Sequence, residues 1–203
     1  MEVDEIISKY TQCSNCIWDD KPCHKLNLTH RDIGDNGCLK LLNKRYHTIL
    51  LWRNRITDNG CNILKNVNAH TVYLGYNQIG TNGCKILQDS SFKNVYLEGN
   101  SITAEGCKYL SKCNFHTLDL SWNHIGDEGC KYLKNGKFHT LYLEKCYINQ
   151  EGIEHLKESN IVCIKGLGQE LEDYMYEKYK RTAYQCIDPL VIPVINSMVM
   201  EYL

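Results

Sequence analysis

Apolar residues return along this chain with a step of 23. One column is Leu28, Leu51, Leu74, Leu97, Leu120, Leu143, and a second is Ile33, Ile56, Ile79, Ile102, Ile125, Ile148. A third is Leu41, Leu64, Leu87, Leu110, Leu133, Leu156, and glycines keep the same step at Gly37, Gly60, Gly83, Gly106, Gly129 and Gly152. A fixed period of this length marks a solenoid, whose units cover their apolar faces against one another instead of folding alone. Six copies run without a slip over about two thirds of the chain.

Within one copy, Leu118 to Thr140, the pattern changes twice. Leu118 and Leu120 alternate with Asp119 and Ser121, the period of a short strand. Equivalent pairs are Leu26/Leu28, Ile49/Leu51, Val72/Leu74, Val95/Leu97 and Leu141/Leu143. Stacked copies then form a parallel sheet with one row of side chains inward and the other outward. Asp127, matched by Asp35 and Asp58, is read as the N-cap of a short helix in which Gly129, Cys130 and Leu133 share a face. Glycine costs about 1 kcal/mol in a helix relative to alanine, so its retention in all six copies predicts close contact with the layer beneath. The asparagine column Asn54, Asn77, Asn100, Asn123 is expected under the turn, bonding backbone groups of its own and the next repeat. That column fails at Arg31 and Cys146, in the first and last full units.

The string LxLxxNxIxxxGxxxL, read from Leu118 through Asn123, Ile125, Gly129 and Leu133, resembles a leucine-rich repeat. The turns Ile125–Gly129 and Ile33–Gly37 are similar to the ribonuclease-inhibitor-like subclass, also found in the sensor arms of NOD-like receptors, although 23 residues is shorter than the usual unit of about 28. The resemblance implies an α/β fold: a right-handed leucine-rich-repeat solenoid arc with a parallel concave sheet, short helices outside and helical caps. With a last strand at Ile164, seven strands would make a sheet roughly 29 Å long. Residues 1–25 are assigned to an N-terminal cap with Val3, Ile6, Ile7 and Tyr10 at helical spacing. Residues 26–163 hold the six repeats. Residues 164–203 form a C-terminal cap whose helix, 169–184, turns Leu171, Tyr174, Met175 and Tyr179 inward.

Composition narrows the partner class. Basic residues number 23 and acidic residues 24, for a formal charge of −1. Nucleic-acid binders carry a basic excess or stripe, which this sequence lacks. Its most apolar stretch, 189–200, is interrupted by Pro193 and Asn196, so no membrane span is expected. The acidic start Met1-Glu2-Val3-Asp4-Glu5 lacks the basic and apolar regions of a signal peptide. Five of the twelve cysteines (Cys38, Cys61, Cys84, Cys107, Cys130) each follow the periodic glycine, as small apolar core residues. A reducing, cytoplasmic compartment is the expectation, the host cytoplasm for a viral chain. Richness in Asn, Lys, Ile and Tyr points to a low-GC genome.

Candidate chemistry is sparse. The residues between and after the strand leucines face the concave side, which gathers Trp52, Arg53, Tyr73, Tyr76, Tyr96, Trp122 and Tyr142 on one surface. Trp, Tyr and Arg are enriched at interface hot spots, so these seven are the predicted partner-binding residues. Aromatics also simply suit a half-exposed strand. Cys13, Cys16, Cys23 and His24 have zinc-like spacing, but Cys23 and His24 keep the repeat register, so a packed cap and no metal is expected. The histidine column His24, His47, His70, His116, His139 is expected to hydrogen-bond beside Thr48, Thr71, Thr117 and Thr140. No nucleophile, base and orienting group converge, so no catalytic residue and no cofactor is assigned. The resulting expectation is a non-catalytic, monomeric scaffold for another protein. Two alternatives stand beside it. One is the recognition subunit of a ubiquitin-ligase or immune-type assembly, docked through residues 1–25 or 169–203. The other is a GTPase-activating regulator using Arg53 or Asn54.

Overall fold

Alternation and short length dictate the strands. β1 (Lys25–Asn27), β2 (Arg45–Leu50), β3 (Asn68–Tyr73), β4 (Asn94–Tyr96), β5 (Thr117–Asp119), β6 (Thr140–Tyr142) and β7 (Cys163–Lys165) form one open parallel sheet in sequence order. The structure is a computed structural model, and it describes Glu5 and residues 25–186. The expected N-terminal cap residues Val3, Ile6, Ile7 and Tyr10, the set Cys13, Cys16, Cys23 and His24, and the apolar segment 189–200 lie outside the described residues. Each strand pairs with the next 23 residues on, from Leu26 opposite Ile49 to Leu141 opposite Ile164. The ladder runs on past the strands: the amides of Leu51, Leu74, Leu97 and Leu120 donate to Tyr73, Tyr96, Asp119 and Tyr142.

Between strands run α1 (Gly34–Cys38, extended by a 3-10 turn Leu39–Leu41), α2 (Asp58–Leu64), α3 (Thr81–Leu87), α4 (Ala104–Leu110), α5 (Gly126–Leu133) and α6 (Gln150–Lys157). α7 (Gln169–Cys186) follows β7. The periodic leucines, isoleucines and cysteines form one buried core between the sheet and the helices, and Phe92, Phe115 and Phe138 close it below. At about 25 cal/mol per Å² of apolar surface buried, that continuous seam is the main source of cohesion.

The glycine column meets the expected close contact, and the cause has two parts. A Cβ on Gly129 would stand 2.4 Å from Ile125 Cγ2, four residues back at the helix N-cap. A Cβ on Gly83 would stand 2.6 Å from the Asp58 carboxylate and 3.2 Å from Cys61 Sγ, both in the preceding repeat. Helices therefore stack with sulfur against bare backbone.

Two sequence expectations need correction here. Asp127 is not the N-cap of α5, because Ile125 holds that position. Its carboxylate instead accepts from the amides of Asn149 (2.7 Å) and Gly152 (3.1 Å) in the next repeat. Asp35 accepts from the Thr57 amide and hydroxyl (2.8 and 2.7 Å), and Asp58 from the Gly80 amide (2.7 Å). The turns at Thr57, Gly80 and Asn149 present backbone amides to the preceding repeat, and these three aspartates satisfy them. The C-terminal helix differs too. Leu171 and Met175 are buried and Tyr179 packs on the core, but Tyr174 is 44 % exposed. Its ring lies against Lys157 Nζ of α6, 5.4 Å from the centroid, where one face stays wet and the other meets a cation.

A candidate protein-binding face on the helix-free side of the sheet

The asparagine column sets the geometry of this face. Asn123 is fully buried, and its amide donates to Leu97 O (2.9 Å), Leu120 O (3.0 Å) and Ser121 O (3.2 Å) while its oxygen accepts from the Ile102 amide (2.9 Å). Asn54, Asn77 and Asn100 repeat this scheme. The partners belong to the same and the preceding repeat, not the next one, because the side chain points back along the stack. At the failed position Cys146 takes over, its thiol donating to Leu120 O at 3.1 Å. This anchoring holds the residue before each asparagine in the left-handed region, with φ of 51° at Arg53, 52° at Tyr76, 64° at Gly99 and 60° at Trp122, and Lys145 before Cys146 follows at 56°. The backbone amides of Arg53, Tyr76 and Trp122 donate to the neighbouring repeat, so their side chains project from a fixed base.

Four of the seven predicted residues come together. Trp52, Tyr76, Trp122 and Tyr142 line a depression of about 400 Å³ that runs from the second repeat to the end of β7. Trp52 meets Tyr76 edge to face, with centroids 5.0 Å apart. Trp122 and Tyr76 are 51 % and 37 % exposed, a high value for large aromatics. Tyr73 and Tyr96 stand beside the depression as a parallel stack, 4.2 Å between centroids. Burial, then the neighbouring Tyr73, raises the Tyr96 phenol above its ordinary range. Arg53 lies apart, at the edge of a second depression with His30, Asp32 and Arg55, its guanidinium 4.9 Å from the Tyr76 ring centroid.

Sequence reasoning passed over the carboxylates. Glu98, Asp119 and Glu144 line the same depression as the aromatics. Glu98 accepts from the Trp52 indole N–H, 46 residues away, and its other oxygen is buried with no partner among the described residues. Asp119 accepts from the Ser121 amide at 2.8 Å. Burial pushes both carboxyls above the usual carboxylate range. Two glycines make room. A Cβ on Gly75 would collide with Trp52 Nε1 and Glu98, and one on Gly99, at φ 64°, would press on the Tyr76 ring. These residues sit in the same columns as the predicted aromatics, so the signal was charge at aromatic-rich positions next to glycine.

Other candidates are accounted for structurally. The histidines stack in pairs, His47 on His70 (5.0 Å) and His116 on His139 (4.7 Å), and each Nδ1 bonds the following threonine hydroxyl at 2.9–3.2 Å. The described cysteines are free, and burial raises the thiols of Cys61, Cys84 and Cys107 well above their ordinary value, which makes them poor nucleophiles. Asn54 is 0 % exposed with its amide committed to Leu28 O and Trp52 O, which removes it as a catalytic candidate. Among the described residues no group of three or more His, Cys, Asp or Glu is arranged to hold a metal ion, and no helix is long and apolar enough to cross a membrane.

Comparison with known proteins adds one match. A family model described as "Leucine Rich repeat" matches residues 111–134, the unit built on Leu120, Asn123, Ile125 and Gly129. No curated protein matches the chain. Taken with six in-register copies and seven parallel strands alternating with short helices, the match supports a leucine-rich repeat protein with the fold of an α/β leucine-rich-repeat solenoid arc.

Proposed function

We propose that this chain is a non-catalytic scaffold that binds another protein on the helix-free face of its sheet. The observation that carries this reading is the cluster of half-exposed Trp52, Tyr76, Trp122 and Tyr142 around one depression on a hydrogen-bonded base. Rigid aromatics lose little conformational freedom on binding and dominate interface energetics. Tyr73, Tyr96 and Arg53 extend the surface. The turn sequences Ile33–Gly37 and Ile125–Gly129 favour the ribonuclease-inhibitor-like subclass in spite of the shorter unit, with residues 1–25 and 164–203 assigned as caps. The described cysteines, free and all but Cys163 buried, support a reducing, cytoplasmic setting, and the chain is read as a monomer.

The test is an affinity capture from a lysate of the source cells, read by mass spectrometry, with a Trp122→Ala/Tyr142→Ala double variant alongside. A partner identified in this way is expected to bind the double variant at least about tenfold more weakly, as loss of two hot-spot aromatics implies. Equal recovery on both proteins would overturn the reading.

A further inference from the structure

We infer that the depression on the helix-free face receives a cationic side chain, arginine in the first place, presented by a segment of the partner protein; this rests on the docking reading above and specifies its chemistry. The walls are aromatic, Trp52, Tyr76, Trp122 and Tyr142, while Glu98, Asp119 and Glu144 supply negative charge to the same hollow. A cation held against aromatic faces and a carboxylate is stabilised by both, and more so where water is thinned out.

Four further observations select this occupant. One Glu98 oxygen accepts from the Trp52 indole, and the other is buried with no partner among the described residues, so the negative charge beneath the hollow is left uncompensated within the chain. Buried polar atoms are rarely left in that state, and a charged acceptor is costlier to leave unpaired than a neutral one. The cation bordering the hollow, Lys165, is engaged by Glu172 at 2.6 Å and does not neutralise the floor. The chain already seats a guanidinium on one of these rings, Arg53 on Tyr76. Arginine suits the site better than lysine because its planar group stacks on rings and offers several donors at once to a carboxylate. Burial holds Glu98 and Asp119 above the ordinary carboxylate range, so an incoming positive charge relieves a cost that the free protein bears. Acidic peptides and phosphate backbones meet like charge here and are rejected.

The experiment is selection of random dodecapeptides displayed on phage against the immobilised full chain, followed by titration of synthetic copies of the selected peptides. Selected peptides are expected to share an arginine, and replacing it with neutral, near-isosteric citrulline should weaken binding at least about tenfold. Glu98→Gln and, independently, the exposed Glu144→Gln should weaken the same peptides while Trp122→Ala abolishes binding. Thermal melts check the fold of each variant. Glu98→Gln should melt no lower than the parent at pH 7, because it removes a carboxylate that burial disfavours. Peptides that need Trp122 but carry no basic residue, or that bind both glutamine variants unchanged, would overturn the cation assignment and leave the docking face standing. Peptides indifferent to Trp122→Ala, or a pool without enrichment, would overturn the docking face and the cation assignment with it.

Discussion

A single buried amide per repeat decides how the turn is drawn. Asn123 makes four hydrogen bonds with no exposure, so Asn123→Ala strands several backbone groups and is expected to cost roughly 2–4 kcal/mol in urea unfolding. Cys146 fills the same position with a weaker donor. Cys146→Asn should therefore raise stability by about 1 kcal/mol, the net value of a better hydrogen bond. The asparagine column was legible in the sequence, and its burial followed from the chemistry of an amide beneath a turn. The direction of its bonds was not legible, because period alone does not say whether a side chain leans forward or back along the stack. Nor was the donor role of Cys146, which read as a broken column.

Helices in this stack are spaced by what they lack. Gly129 and Gly106 occupy equivalent positions in α5 and α4, yet an added Cβ would approach the isoleucine one turn back to 2.4 Å in the first and 2.9 Å in the second. Gly129→Ala must push Ile125 off its seat, and overpacking of this kind costs about 1–3 kcal/mol, partly offset by alanine's better helix propensity. Gly106→Ala is expected to lose less, and the two midpoints in chemical denaturation give the order. The sequence announced that glycine mattered here. It could not announce that the obstacle is the isoleucine of the same repeat at the helix's N-terminal entry, joined at Gly60, Gly83 and Gly152 by an aspartate from the repeat before. The same aspartates read as helix caps in sequence because capping and bridging favour the same residue type within one or two positions. Tyr174 shows a similar limit: its spacing marks an inward face, and a lysine on the adjacent helix draws it out.

Across the whole molecule, the fold was nearly complete in the sequence, since six copies in register leave one way to stack them. The candidate site was half legible. Aromatic columns were visible, and Trp52, Tyr76, Trp122 and Tyr142 do meet. The acidic floor was not, because Trp52 reaches Glu98 only across the bare backbone of Gly75, a relation that spans two repeats and that no single unit displays. A stack whose neighbours support one another also has a characteristic way of coming apart. The row of sulfurs running through its interior, Cys38, Cys61, Cys84, Cys107 and Cys130, is sealed from solvent and chemically quiet while the coils stay closed. Alkylation with iodoacetamide, resolved peptide by peptide, then serves as a set of five stopwatches along the axis. The outermost thiols, Cys38 and Cys130, should modify first and Cys84 last if unzipping proceeds from the ends. Equal rates at all five would mean that the arc opens as one piece.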